Sequence, residues 1–355
     1  MDLTSSKKLG FRAIIGLDQR TIPPIRSNKP PIVPPPFKNL TLYRIRAGWL
    51  SPSDLTEDAQ RIAEALDARR FVACSAGQPQ SVGWVSPLLP RGLNDPSLGL
   101  IETVAGQWLL CLMTEQRLLP ASVVRRRTEE LMREAEQATG RKPGKRQRQQ
   151  IKEQAQMELL PRAFTRQIPI DLWIDPGRGL LAIDTTSLSR AEAVVTELVR
   201  SLDGLVIEPI QTQESPSTVM AAWLTDGEPG SGFFLERECE LKADDDMRSS
   251  VRYARHVLDT EDVRGQIVQH LQQGKRPIRL ALTWSARVSF TLTDTMQLRK
   301  LDFLDTVFED QEALGSKDAL ASFHSEVAIR TGELGRLIPV LIEALGGEAD
   351  ASLAA

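Results

Sequence analysis

Residues 106–175 constrain the fold more than any other stretch of the 355-residue chain. GQWLLCLMTEQRLLP (106–120) contains a long buried strand. Residues 121–138 switch to a strongly helical pattern, and GRKPG (140–144) stops that helix with two glycines and a proline. A second helix is predicted from Arg146 to Leu160, just before Pro161, and IPIDLWID (168–175) returns to a strand. A chain that leaves a sheet, turns tightly between two helices and comes back carries those helices as a projecting hairpin.

The remainder mixes strand and helix periods. NLTLYRIR (39–46) alternates like a strand, 54–67 has the spacing of an amphipathic helix, and GWVSP (83–87) closes a short strand. GLLAIDTT (179–186) and LVIEPI (205–210) read as strands around a helix that ends near Leu202, with Ser189 and Glu192 fitting a capping box. Further strands are predicted at 232–241, 277–284, 287–293 and 298–304, with a helix at 260–273. Two C-terminal helices, at 317–330 and 332–346, end in Gly346-Gly347, a C-cap signal. The irregular order makes the class α+β, with mixed sheets and packed helices. RTIPPIRSNKPPIVPPP (20–36) is too proline-rich for a packed element, so 1–36 is expected to be a disordered extension. The expected divisions are then an N-terminal α+β region at 37–118, the hairpin at 119–163, a central α+β region at 164–230, a C-terminal α+β region at 231–349 and a tail at 350–355.

Motifs for catalysis are missing. GRKPGK (140–145) is one residue short of a phosphate loop, lacks its Ser/Thr and follows a helix rather than a strand. GEPGSG (227–232) lacks the strand–turn–helix context of a dinucleotide site, and there is no GxSxG or HExxH. Asp244–Asp245–Asp246 and Glu309–Asp310 read as solvated turns, because metal ligands usually converge from separate elements. Cys74, Cys111 and Cys239 are far apart, and His256, His270 and His324 show no ligand spacing, so no metal or other cofactor is expected. Unpaired cysteines suit a reducing cytoplasm, no apolar run approaches the ~20 residues of a membrane span, and residues 1–36 lack the core of a signal peptide.

Charge distribution is more informative than the formal net charge of -3. Residues 118–166 hold twelve Lys/Arg against six Glu, and 1–36 hold six against two Asp, which leaves the rest of the chain at -13. From Thr139 to Lys152 come Arg141, Lys142, Lys145, Arg146, Arg148 and Lys152 without one acid, and Arg125, Arg126 and Arg127 begin the preceding helix. Long cations at a hairpin tip reach phosphates, and each phosphate neutralised releases counterions. No aromatic residue lies between Trp108 and Phe164, which favours duplex backbone contact over stacking on single strands. The competing reading is a partner-binding regulator whose basic hairpin docks on an acidic protein surface.

Several stretches, in order, resemble one family, the bacterial recombination-associated RdgC proteins. They are FKNLTLYRI (37–45), GWVSP (83–87), GQWLLCL (106–112), LLPRAFTR (159–166), LWIDPGRGLLAID (172–184), ECELK (238–242), RLALTW (279–284), LRKLDF (298–303) and TGELGRLIPVLIEALGGEA (331–349). The extension 1–36 has no counterpart. The resemblance implies a non-enzymatic, nucleoid-associated protein whose horseshoe-shaped subunits close into a homodimeric ring around duplex DNA and so restrain the RecA recombinase, with or without touching it. On that reading Arg162 and Arg166 join the hairpin cations on DNA, and Phe164 forms a small openable subunit contact. Arg248, Arg252, Arg255 and His256 are expected on DNA or at an interface, with Arg248, Arg252 and His256 sharing one strand face. Leu334, Leu337, Ile338, Leu341, Ile342 and Leu345, at helical spacing, are expected to pack partly on the sheet and to supply the larger dimer contact.

Overall fold

The computed structural model describes residues 37–50, 55–89, 95, 97–243, 249–308 and 318–349. The proline-rich stretch, the Asp244–Asp246 run, Glu309–Asp310 and the tail lie outside these. Among the described residues are twelve strands: β1 Leu40–Ile45, β2 Gln80–Val85, β3 Glu102–Val104, β4 Gln107–Arg117, β5 Thr165–Asp175, β6 Leu180–Asp184, β7 Ile207–Pro209, β8 Phe233–Ala243, β9 Ser250–Ala254, β10 Lys275–Trp284, β11 Val288–Thr293 and β12 Gln297–Phe303. Seven α-helices accompany them: α1 Leu55–Asp67, α2 Ala121–Thr139, α3 Lys145–Leu159, α4 Leu188–Ser201, α5 Pro216–Asp226, α6 Glu261–Gln272 and α7 Ala319–Ala344. The α+β class holds, and all strands belong to one sheet in the order β2-β4-β5-β6-β1-β12-β11-β10-β8-β9, with β3 on β4 and β7 on β1.

Every named ladder is antiparallel, and β1 joins the two halves by pairing with β6 on one side and β12 on the other. The half containing β4, β5 and β6 is buried on both faces. Tyr43, Ile45, Leu181 and Ile183 pack under Ile62 and Leu66 of α1 and Val194 and Leu198 of α4. Leu40, Leu42, Leu180 and Ala182 belong to the opposite core, which holds α5 and α7. Strands buried on both faces read as continuous apolar runs, as WLLCLM and LLAI do. The other half carries helices on one face only. Val288, Phe290 and Leu292 of β11 enter the core with α7, while Ser289 and Thr291 point away from it, so these strands alternate.

The beginning of the described chain is tied down by one carboxylate. Asp184 accepts the backbone N–H groups of Phe37, Lys38 and Asn39 at 2.8, 3.1 and 2.8 Å. This holds Phe37 at φ 84, where its fully buried ring packs on Trp173 with centroids 5.9 Å apart. Gly83 in β2 allows the 69–71 segment to lie against the strand, because a Cβ there would stand 2.5 Å from Phe71 Cα.

Three expectations change. The two C-terminal helices are one continuous α7 that accommodates Gly332 and Pro339 internally, its burial outweighing their poor propensity. The start of α4 is capped by Ser187, whose hydroxyl accepts the Arg190 N–H, so Ser189 sits inside the helix and forms no capping box. The six residues Leu334, Leu337, Ile338, Leu341, Ile342 and Leu345 are all buried in the subunit's own core. These six are therefore used within the subunit and are not a surface stripe for a second one.

Candidate nucleic-acid interface

The hairpin follows from its turn. Gly140 takes φ 69 and donates its N–H to Glu136 O at 2.8 Å, closing α2, and Gly144 starts α3. Leu131, Ile151 and Ala155 form a small core between the helices, separate from the cores of the sheet. With a rise of about 1.5 Å per residue, α2 carries the turn about 28 Å from its first residue.

Cations along this arm are not equivalent. Arg127 is committed to carboxylates, with Glu130 at 3.1 Å, Glu134 at 3.6 Å and Glu158 of the facing helix at 3.0 Å. The hydrogen bond to Glu158, with that to Glu130, holds its pKa above the ordinary arginine value. Arg127 therefore braces the hairpin and is not free for phosphate. Arg148 turns its Nε to Pro143 O at 2.9 Å but stays exposed. Arg141, Lys142, Lys145, Arg146 and Lys152 are exposed and, among the described residues, have no ion-pair partner. Arg125, Arg126, Arg162 and Arg166 are likewise exposed, but they cluster at the root, about 22 Å along the helix axis from the tip set.

At that root, Arg117 at the end of β4 donates to the carbonyls of Leu160, Ala163, Cys74 and Ser75 at 3.0 to 3.3 Å. One guanidinium thus ties the returning strand and the 74–75 loop together. Nothing in the strand-like sequence around Arg117 announces this role. Glu115 on the same strand accepts the Cys74 N–H, and its hydrogen bonds outweigh burial to hold its carboxyl below the usual range. Phe164 follows the clamp and is 84% exposed. Beside the clamp lies a groove of about 890 Å³ lined by Pro79, Leu118, Pro120, Met157 and Leu160. The hairpin root thus sets a partly apolar groove beside exposed arginines.

Of the second predicted cluster, Arg252 and Arg255 lie on the uncovered face of the sheet. Arg248 lies outside the described residues. Arg252 is on β9 and bonds Glu238 of β8 at 2.5 Å. His256 lies beyond the end of β9, edge-on to Tyr253 with centroids 5.9 Å apart. Arg255 has φ 63, which breaks the strand's alternation, so Arg252 and His256 do not share a strand face as expected. Arg252 and Arg255 instead line a trough of about 1150 Å³, whose floor includes Ala281, Thr283, Ser289 and Thr291 and whose sides include Glu236, Arg237, Glu238 and Lys300. Lys300 reaches from β12 over β11 and β10 to Glu238 at 2.8 Å. Glu238 is held below the ordinary carboxylate range, first by that lysine and then by Arg252, against burial that acts the other way.

Among the described residues no group of three or more His, Cys, Asp or Glu is arranged to hold a metal ion, and no helix is long and apolar enough to cross a membrane.

A family model described as "Putative exonuclease, RdgC" matches residues 36–348. The chain belongs to the RdgC family. It is 40% identical over 312 residues to the recombination-associated protein RdgC of Dechloromonas aromatica, covering 88% of this chain and 98% of that one. It is 36% identical over 314 residues to the Janthinobacterium protein of the same name, with 88% and 99% covered, and 38% over 312 residues to that of Cupriavidus pinatubonensis, with 88% and 98%. The match to RdgC begins at Pro36, so all but the last residue of the proline-rich stretch lies outside it.

Proposed function

We propose that this RdgC protein binds duplex DNA through its phosphate backbone without regard to base sequence, and that it does so without catalysis. The observation that carries this reading is the hairpin tip, where exposed cations have no carboxylate partner among the described residues although acids outnumber bases in the chain. Cations already neutralised in the fold, as Arg127 is, gain less from phosphate than free ones do. A tip that carries charge but no aromatic ring suits backbone contact.

The protein acts as a homodimer that closes around the duplex, in the cytoplasm and on the nucleoid. At one of the two contacts that a two-membered ring requires, Phe164 of one subunit enters the groove beside Leu118 and Met157 of the other. The same pair recurs across a two-fold axis, which makes the contact self-complementary. A dimer seated on the duplex restrains RecA by occupying the DNA that a recombinase filament would use. The runner-up, docking of the basic tip on an acidic protein surface, predicts no affinity for naked DNA.

A gel shift comparing linear duplex with single strand over a salt series tests the proposal. Neutralising about six phosphates gives log K against log salt a slope of about -5 on duplex. A flat salt response, or strong preference for one base sequence, removes backbone binding.

A further inference from the structure

The uncovered trough is built by two irregularities in otherwise regular strands. In β8, Leu235 and Cys239 face Leu282 and Leu280, so Glu236, Arg237 and Glu238 all lie opposite Ala281 alone. In β12, Arg299 and Asp302 face Thr291 and Ser289, so an extra residue bulges there too, and Lys300 at that point adopts φ 52. Bulges re-aim side chains, and they are over-represented beside functional sites. Left-handed backbone is uncommon for a long side chain, yet both Lys300 and Arg255 adopt it at this trough. The floor between the bulges is made of small residues, and Thr283 and Thr291 are buried there, although they face away from the helix-covered core.

Charge is equally specific. Arg252 and Lys300 converge on one carboxylate, Glu238, from opposite sides of the trough. Arg237 and Arg255 have no ion-pair partner among the described residues. Four cations therefore surround a site whose centre is held by a single glutamate, with Glu236 turned instead to the Thr283 hydroxyl at 2.6 Å. A carboxylate bonded by one arginine and one lysine makes the same contacts that a phosphate oxygen pair makes.

We propose that this trough is a second site for a backbone phosphate of the bound duplex, and that Glu238 occupies it in the DNA-free protein as an internal competitor. The inference rests on the duplex-binding reading and adds a regulatory residue to it. DNA must displace Glu238 from Arg252 and Lys300, which weakens binding and keeps the trough closed to isolated anions.

The test compares duplex affinity and salt slope for wild type, Glu238→Gln, Glu343→Gln and the triple variant Glu238→Gln/Arg252→Gln/Lys300→Gln. Glu343 is exposed near the end of α7, on the opposite side of the sheet, and its variant changes net charge equally. Glu238→Gln is expected to bind several-fold tighter, because no carboxylate has to be displaced, with a salt slope close to that of wild type. The triple variant loses that gain, and Glu343→Gln shows none. Unchanged affinity in a Glu238→Gln protein with wild-type circular dichroism and melting overturns the inference, as does an equal gain in Glu343→Gln. Calorimetry with inorganic tripolyphosphate supplies a further arm. Tight binding of that anion by Glu238→Gln without a gain on duplex overturns the assignment to DNA. Wild type without duplex affinity defeats the underlying reading, whereas wild-type affinity with an inert Glu238→Gln defeats this inference alone.

Discussion

Arg287, at the turn between β10 and β11, donates from Nε and Nη2 to the two carboxylate oxygens of Glu333 in α7 at 3.0 and 2.6 Å. Glu333 is 1% exposed and also accepts from Arg336, so it holds α7 to the C-terminal half of the sheet. Near the other end of the helix, Glu348 takes two hydrogen bonds from Arg44 of β1, tying the chain to the strand that joins the halves. Glu333→Gln keeps the shape but removes the charge that two arginines share. Losing a buried partner costs about 3–5 kcal/mol, and the partial exposure of the arginines puts this case at about 2–3 kcal/mol. A denaturant midpoint shifted by less than about 0.5 kcal/mol equivalent would contradict this role for α7.

Gly83 offers a test of backbone proximity. A methyl group there meets Phe71 Cα and N at 2.5 and 2.7 Å, and these are backbone atoms that cannot swing aside. Gly83→Ala is expected to cost about 1–3 kcal/mol, the range for overpacking. The 69–71 segment, which bonds Trp84 through Arg69 O and Phe71 N, should lose hydrogen-exchange protection first. Protection unchanged in that segment would refute the proximity argument.

Much of the fold was legible because local signals and tertiary burial agreed. GRKPG marked the hairpin turn, since Gly140 supplies the left-handed cap there. The apolar run of GQWLLCLM marked the doubly covered β4, whereas β1 was read from its alternation although it is buried on both faces. α5 was missed although Ser215 and Pro216 are a good start signal, because its buried face includes Val219, Met220, Trp223 and Leu224 and little amphipathic period remains. The break placed at Thr331, between helices at 317–330 and 332–346, failed for the opposite reason, a local signal overridden by packing. At the candidate site, the exposed tip cations were readable as a charge run. The pairing of Arg127 and the trough around Glu238 were not, since both depend on residues brought together from separate elements.

Charge reversal at the tip, Lys145→Glu with Arg146→Glu and Arg148→Glu, should weaken duplex binding and flatten its salt slope. These side chains are exposed, so each change should cost under about 0.5 kcal/mol of stability. Arg127→Glu should behave differently. It breaks the brace to Glu158, destabilises the hairpin and reduces binding only as the arm loosens. A folded triple variant with wild-type affinity would move the DNA surface elsewhere.

Cys239 is fully buried in β8, and burial pushes its thiol up to about 12. At pH 8 it is protonated and shielded, so iodoacetamide should leave it unmodified until denaturant is added. Alkylation of Cys239 in the native protein, read by peptide mass spectrometry, would mean that the β8–β10 region opens readily.

In the proposed homodimer, Phe164 is the side chain on which the contact turns. It is 84% exposed, yet its backbone is fixed, because Leu118 N bonds Phe164 O at 2.7 Å and Arg117 holds the preceding carbonyls. A rigidly presented aromatic ring loses little entropy on docking, which suits a contact anchor. With the six α7 side chains buried in the subunit, the proposed dimer contact is this ring and the groove beside Met157 and Leu118. Burying one such side chain is worth about 2 kcal/mol, and a two-fold contact counts it twice, about 4 kcal/mol. Phe164→Ser should therefore weaken self-association by about a thousandfold. Analytical ultracentrifugation over a dilution series would show the subunit shifting to monomer. The same variant should leave closed circular DNA as quickly as linear DNA, whereas a closed wild-type ring should be retained longer on the circle. Wild-type self-association in Phe164→Ser would place the dimer contact on another face, and wild-type release from circles identical to that from linear DNA would remove encirclement.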